Sequence, residues 1–257
     1  MRAVVAAVHG ILTWQTSATW PERFAEFMWR RDEGVHVITR HYEAGPFPRW
    51  NCWVKDPHIA KGLANELELY AGRPGQDSTR SSTKDATKVE TGFPPIWLVA
   101  HSNGAVIALL AADRLIERGH RIGGLILTGA AIEPELTKNN VLNWLDAGQL
   151  GAAIAYCSED DQVLDGVVSR RDGFWHQVRD WIWGRLMWPY GCLGKTGWTY
   201  QRRPIANPSC ASFHTALFNR WYRGGHSCYF EETAGNTVFE QIYQDMCRPR
   251  KMNGRSG

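Results

Sequence analysis

A hydroxyl sits at the junction of two apolar runs in the stretch Leu98-Val99-Ala100-His101-Ser102-Asn103-Gly104-Ala105. The first run has strand character and the second has helical character, so Ser102 falls at the tip of a sharp strand-to-helix turn. Such a turn holds the serine in a strained backbone conformation and needs small residues two before and two after it. Ala100 and Gly104 meet that need, with Ala standing in the first glycine place of the pattern G-x-S-x-G. The helix that follows offers a partial positive charge and free N–H groups beside the hydroxyl. A serine becomes a useful nucleophile only when a base takes its proton and an acid orients that base. Two later segments carry the right residue types. Ala-Ile-Ala-Tyr-Cys-Ser-Glu-Asp-Asp-Gln-Val is an apolar strand ending in the carboxylates Glu159, Asp160 and Asp161, and Arg-Gly-Gly-His-Ser-Cys-Tyr-Phe presents His226 in a glycine-freed loop before a final helix. Together these residues point to acyl transfer through a covalent serine ester.

The elements that must position them read as alternating strands and helices. Short apolar runs at 3–8, 35–40, 96–100, 122–128, 151–157 and 213–218 are the strands. Amphipathic runs at 20–31, 57–70, 103–118, 139–149, 172–187 and 231–246 are the helices. This alternation predicts an α/β fold with a mostly parallel sheet of about six strands and helices on both faces. In 20–31, Phe24, Phe27 and Met28 share one face while Glu22, Arg23, Glu26 and Arg30 share the other. The helix 103–118 is apolar almost all round at its start, which predicts deep burial against the sheet, and Gly119 offers a left-handed stop. Residues 72–95 are polar and bounded by Gly and Pro, and read as a long exposed loop. A second loop, 188–212, is rich in Gly, Pro and Trp.

Composition narrows the class. The chain has 257 residues, 44% of them apolar, enough for one domain with its own core. Its net charge is +3, and the excess lies in the tail at Arg248, Arg250, Lys251 and Arg255, so residues 1–247 are expected to form a single domain and 248–257 a basic, flexible terminus. No basic stripe crosses the fold, and no nucleic-acid partner is expected. The six cysteines (52, 157, 192, 210, 228 and 247) show no CxxC pair and no zinc-ligand rhythm. No metal or organic cofactor is implied, and free thiols in a reducing compartment are the expectation. The opening run Ala3–Val8 meets His9-Gly10 directly and reads as a core strand rather than a leader. No apolar segment approaches the length of a membrane span, and a cytoplasmic location is expected.

From its first strand to its last helix the chain resembles the α/β-hydrolase family, in its lipase and esterase branch, without that family's first two edge strands. The order serine, acid, histidine along the chain is the order of the family's triad. The resemblance implies Ser102 as nucleophile, His226 as general base and Asp160 as acid, because Cys157 to Val163 matches the family's G-x-x-D-x-x-V with Cys in the glycine place. Asp161 is the second choice for the acid and Glu159 a distant third. The family's His-Gly after its early strand corresponds to His9-Gly10, so the resemblance implies an oxyanion hole made by the Ile11 and Asn103 N–H groups. The short gap between Gly129 and the helix near 139 leaves no room for a large cap there.

The function expected is hydrolysis of a small-molecule carboxylic ester through an acyl-enzyme. A thioesterase or acyltransferase would use the same triad, and a catalytically silent binding module is the reading from a different class. Trp175, Trp181, Trp183, Trp188 and Trp198 lie in a span longer than the fold requires. Most of them read as helix packing. Trp188 to Trp198 is the candidate pocket lip, and exposed indoles there would favour peripheral lipid contact. His101 adjoins the nucleophile but should point away from the reacting face, in a packing or hydrogen-bonding role.

Overall fold

The computed structural model describes residues 2–10, 19–41, 54–72, 95–168, 191–201, 203–204 and 216–247. Six strands form one sheet: β1 Ala3–Val8, β2 Val35–Arg40, β3 Ile96–His101, β4 Ile122–Thr128, β5 Ala153–Ser158 and β8 Leu217–Tyr222, in the order β2-β1-β3-β4-β5-β8. Every neighbouring pair is parallel. The described helices are α1 Trp20–Arg31, α2 Asp56–Ala71, α3 Gly104–Glu117, α4 Val141–Asp146, α5 Gln162–Val168, α6 Leu193–Thr196 and α7 Glu232–Cys247. A two-residue ribbon pairs β6 Thr199–Tyr200 with β7 Arg203–Pro204.

Strand alternation divides the core in two. Val4, Ala6, Val8, Leu98, Ala100, Leu125 and Leu127 face one way and pack on α2 and α3. Ala3, Val5, Ala7, Val99, Ile126, Ile154 and Tyr156 face the other and pack on α1 and α7. A parallel sheet covered on both faces needs apolar side chains at every position of its central strands, and β1, β3 and β5 are buried throughout. α3 lies deep, as its composition predicts, with Ala105, Ala108, Ala111, Ala112 and Leu115 fully buried. Its small residues let it approach α2, which contributes Ala60, Leu63, Ala64 and Leu67. Truncating a side chain such as Leu115 to Ala in such a contact costs about 2–5 kcal/mol. α1 carries Pro21 at its start, Glu22 in its first turn and Arg30 and Arg31 in its last, all in accord with the helix dipole.

Sheet order, helices on both faces and the turn at Ser102 make this the α/β-hydrolase fold. Two expectations need correction. The last strand is Leu217–Tyr222 rather than 213–218, and residues 213–215 lie outside the described residues. It was hidden because its middle is polar: Asn219 is buried with its side-chain Oδ1 accepting the Trp198 backbone N–H, and Arg220 pairs with Asp245. Trp198 is not a pocket lip. It is buried in the core on the face of the sheet that α2 and α3 cover, and the stretch 191–199 is bound to the loop after β4 through Gly191, Leu193, Gly194 and Thr199 N–H groups. The other four tryptophans of that span, the helix 172–187, most of loop 72–95 and the tail 248–257 lie outside the described residues.

Candidate active site

The chain reverses direction across the sheet between β1 and β3, since β2 lies on one side of β1 and β3 on the other. Beyond the carboxyl ends of strands at such a switch point an open α/β sheet forms a crevice. His9 and Gly10 leave β1 there and Ser102 leaves β3 beside them. The segments after β5 and β8 add Asp161 and His226 at the same edge.

Ser102 has φ +54°, one of two non-glycine residues with positive φ among those described. Its N–H donates to the Thr128 carbonyl at 3.1 Å, and its own carbonyl accepts from Ala131 and Ala105 at 3.1 and 3.2 Å. A strained conformation persists only when its surroundings hold it in place, and these bonds do so. Two glycines let the turn sit against β1. A Cβ on Gly10 would stand 2.6 Å from Ser102 Cβ and 3.0 Å from Asn103 N, and one on Gly104 would stand 2.6 Å from the Val8 carbonyl oxygen.

Ser102 Oγ lies 2.9 Å from His226 Nε2, and His226 Nδ1 lies 2.7 Å from Asp161 Oδ2. A carboxylate only accepts, so Nδ1 carries the proton and Nε2 is left as an acceptor for the Ser102 hydroxyl. The Asp161 side chain is fully buried, and its other oxygen accepts the Leu164 N–H at 3.0 Å, which makes Asp161 the N-cap of α5. One carboxylate thus satisfies a helix end and a histidine together.

The structure does not bring Asp160 to His226. Asp160 Oδ2 instead accepts the Gly224 N–H at 3.2 Å, and Glu159 is exposed with its carbonyl taking the Lys195 ammonium at 2.6 Å. Residues 159 and 160 form the turn that leaves β5, and the chain re-enters the interior only at residue 161. The signal that would have separated the two acids was the helix start. Asp161 stands immediately before Gln-Val-Leu, the N-cap position of an apolar helical run.

Asn103 is buried and its N–H has no acceptor among the described residues, while Ile11 lies outside the described residues. The Asn103 side chain reaches Asp56 Oδ2 at 3.4 Å, a buried carboxylate at the start of α2 that sequence reasoning missed because nothing local marks it. His9 is buried and its Nδ1–H donates to the Gly10 carbonyl at 2.7 Å, which shapes the turn after β1. The His101 ring lies against that of His226, with centroids 4.8 Å apart, and has the hydrogen-bonding role the sequence suggests. It is buried, and its Nε2–H donates to the His226 carbonyl at 3.0 Å. Burial, with the nearby His226 charge second, holds the His101 pKa well below the ordinary value of 6.5.

Among the described residues no cluster of His, Cys, Asp and Glu is arranged to hold a metal ion, and no helix is long and apolar enough to cross a membrane. Cys157, Cys192 and Cys228 are buried free thiols, and burial raises the Cys228 pKa to about 11.

No family model matches the sequence, and no curated protein matches it. Among solved structures the chain is similar to the NocB thioesterase domain from the nocardicin cluster, at 12% identity over 96% of this chain and 94% of that one, with a TM-score of 0.47. It is similar to an esterase of Pyrococcus furiosus at 10% identity over 95% and 81%, TM-score 0.47. It is also similar to YbtT, a type II thioesterase from the yersiniabactin biosynthetic pathway, at 16% identity over 95% and 93%, TM-score 0.40.

Proposed function

We propose that the protein is a serine hydrolase that cleaves a carboxylic ester through an acyl-enzyme, with Ser102 as nucleophile, His226 as general base and Asp161 as the acid. The observation that carries this reading is the continuous hydrogen-bonded line from Ser102 Oγ through both nitrogens of His226 to Asp161. His226 Nε2 takes the hydroxyl proton as Ser102 Oγ attacks the ester carbonyl carbon. Asp161 holds the imidazole in its tautomer and stabilises the imidazolium. The carbonyl oxygen, now negative, is met by the Asn103 N–H and, in this reading, the Ile11 N–H. The tetrahedral intermediate collapses, the carbon–alkoxide bond breaks, and His226 gives its proton to the leaving alcohol. Water, deprotonated by His226, then attacks the acyl-Ser102 ester; the bond from the acyl carbon to Oγ breaks, the acid is released, and His226 returns its proton to Ser102 Oγ.

The test is hydrolysis of p-nitrophenyl esters of short to long acyl chains by wild type and Ser102→Ala, with an acyl thioester included in the panel. Turnover that depends on Ser102, with labelling of Ser102 by a fluorophosphonate, is the expected result. A folded wild type that turns over no substrate and takes no label would overturn the reading.

A further inference from the structure

The segment that carries His226 begins Arg223-Gly224-Gly225, a sequence with little stiffness of its own. Yet its backbone is bound at three points by side chains from β3, from β5 and from the turn that leaves β5. The Gly224 N–H donates to Asp160 Oδ2 at 3.2 Å, and the Gly224 carbonyl accepts from Ser158 Oγ at 2.5 Å. Asp160 N–H returns to Ser158 Oγ at 3.3 Å, which closes the arrangement on the β5 side. On the β3 side the His226 carbonyl accepts from His101 Nε2–H at 3.0 Å. Gly224 has φ +116°, a conformation an L side chain rarely adopts, and a Cβ there would stand 2.8 Å from Cys228 Cβ.

We propose that His101, Ser158 and Asp160 are positioning residues that set the backbone of this segment, and through it the His226 imidazole, without themselves exchanging protons in the reaction. This rests on the reading of His226 as general base. A backbone fixed on both sides of a side chain leaves that side chain only its own rotamers. The His226 ring is then held by its neighbour's, since the His101 and His226 centroids stand 4.8 Å apart, and Phe230 meets His101 in a T-shaped contact with centroids 5.1 Å apart. His101 is suited to stay neutral here. Its Nε2 proton is committed to a carbonyl, and its buried Nδ1 has no partner among the described residues to accept a second one. Asp160 acts as a hydrogen-bond acceptor, so its charge is dispensable in this role.

The experiment uses the whole chain and compares variants that keep the hydrogen bond with variants that lose it. His101→Gln carries an amide N–H near the place of Nε2, whereas His101→Met has similar volume and no donor. Asp160→Asn keeps an acceptor for Gly224, and Asp160→Ala does not. Two readouts are taken: the rate of fluorophosphonate labelling at Ser102, with kcat and KM on a p-nitrophenyl ester, and exchange of the Gly224 amide by NMR. A misplacement of about 1 Å is enough to cost on the order of a hundredfold in rate. His101→Met and Asp160→Ala should therefore label about ten- to a hundredfold more slowly, with kcat reduced and KM within about twofold of wild type. His101→Gln and Asp160→Asn should stay close to wild type. Gly224 exchange should quicken in Asp160→Ala and not in Asp160→Asn. If His101→Met fails to fold, Ser158→Ala takes its place with the same expectation. Wild-type rates in the deleted variants, or an Asp160→Asn as slow as Asp160→Ala, would overturn the proposal. If wild type takes no label, the hydrolase reading fails, and Gly224 exchange decides the positioning role on its own: unchanged exchange in Asp160→Ala overturns it.

Discussion

Gly10 and Ser102 meet across the crevice so closely that a Cβ on Gly10 would stand 2.6 Å from the Cβ of Ser102. The same added atom would stand 2.7 Å from the His101 carbonyl oxygen and 3.0 Å from Asn103 N, all on the turn that carries Ser102. Gly10→Ala must push the β1 turn and the elbow apart. The expected result is loss of Ser102 labelling by at least about a hundredfold, since geometry at this scale governs reactivity. Labelling within about threefold of wild type would show that the two turns part without consequence.

Asp161 and Asp160 are adjacent in sequence and bound to different partners, His226 and the Gly224 N–H. Asp161→Asn removes the acceptor that keeps the proton on His226 Nδ1, and kcat should fall by about three to four powers of ten. Asp160→Asn should lose little. Steady-state kinetics on both variants checks the assignment, and the opposite ranking would return Asp160 to the triad.

His101 predicts a slope in stability with pH. Its pKa in the folded protein is well below the ordinary 6.5 because its charged form is desolvated. Below about pH 6.5 the unfolded chain therefore takes up a proton at this site that the folded chain refuses. Stability from this group is complete above that pH and falls as the pH drops toward the folded pKa, by at most about 1.4 kcal/mol per unit. His101→Gln removes the titrating group. Urea midpoints measured between pH 7.5 and 5 should fall less steeply in the variant than in wild type, and equal slopes would reject the account.

Away from the site, Asp245 on α7 is fully buried and accepts hydrogen bonds from Tyr156 and Arg220 at 2.7 and 2.6 Å. It fastens β5 and β8, the strands that deliver Asp161 and His226, to the helix behind them. Asp245→Ala leaves a half-buried guanidinium without its carboxylate, a change that typically destabilises by roughly 3–5 kcal/mol. Tyr156→Phe removes one neutral donor and should cost only about 1 kcal/mol. Denaturant unfolding of the two variants measures the difference, and a larger loss for Tyr156→Phe would contradict this division.

Four strands, β1, β2, β3 and β4, were legible from residue types alone to within one residue at either end. The sharp strand-to-helix turn at Ser102 was legible as well. These are local properties: a run of apolar residues has a period whatever surrounds it, and a serine between small residues at a strand end has few other conformations open to it. What composition and spacing could not decide was direction. Glu159, Asp160 and Asp161 are equivalent as a string, and only the path of the turn leaving β5, set by the burial of residue 161 and the capping of α5, aims one carboxylate at a histidine carried by another strand. β8 was misplaced for a related reason. Asn219 and Arg220 read as surface residues, and their burial is tolerable only because Trp198 and Asp245, brought near by the folded chain, satisfy them. Trp198 looked like a binding surface until the core closed over it. Sequence determined most of the elements and which reactive groups were available; the tertiary structure decided which groups face one another, because hydrogen bonding and burial depend on neighbours that local pattern does not contain.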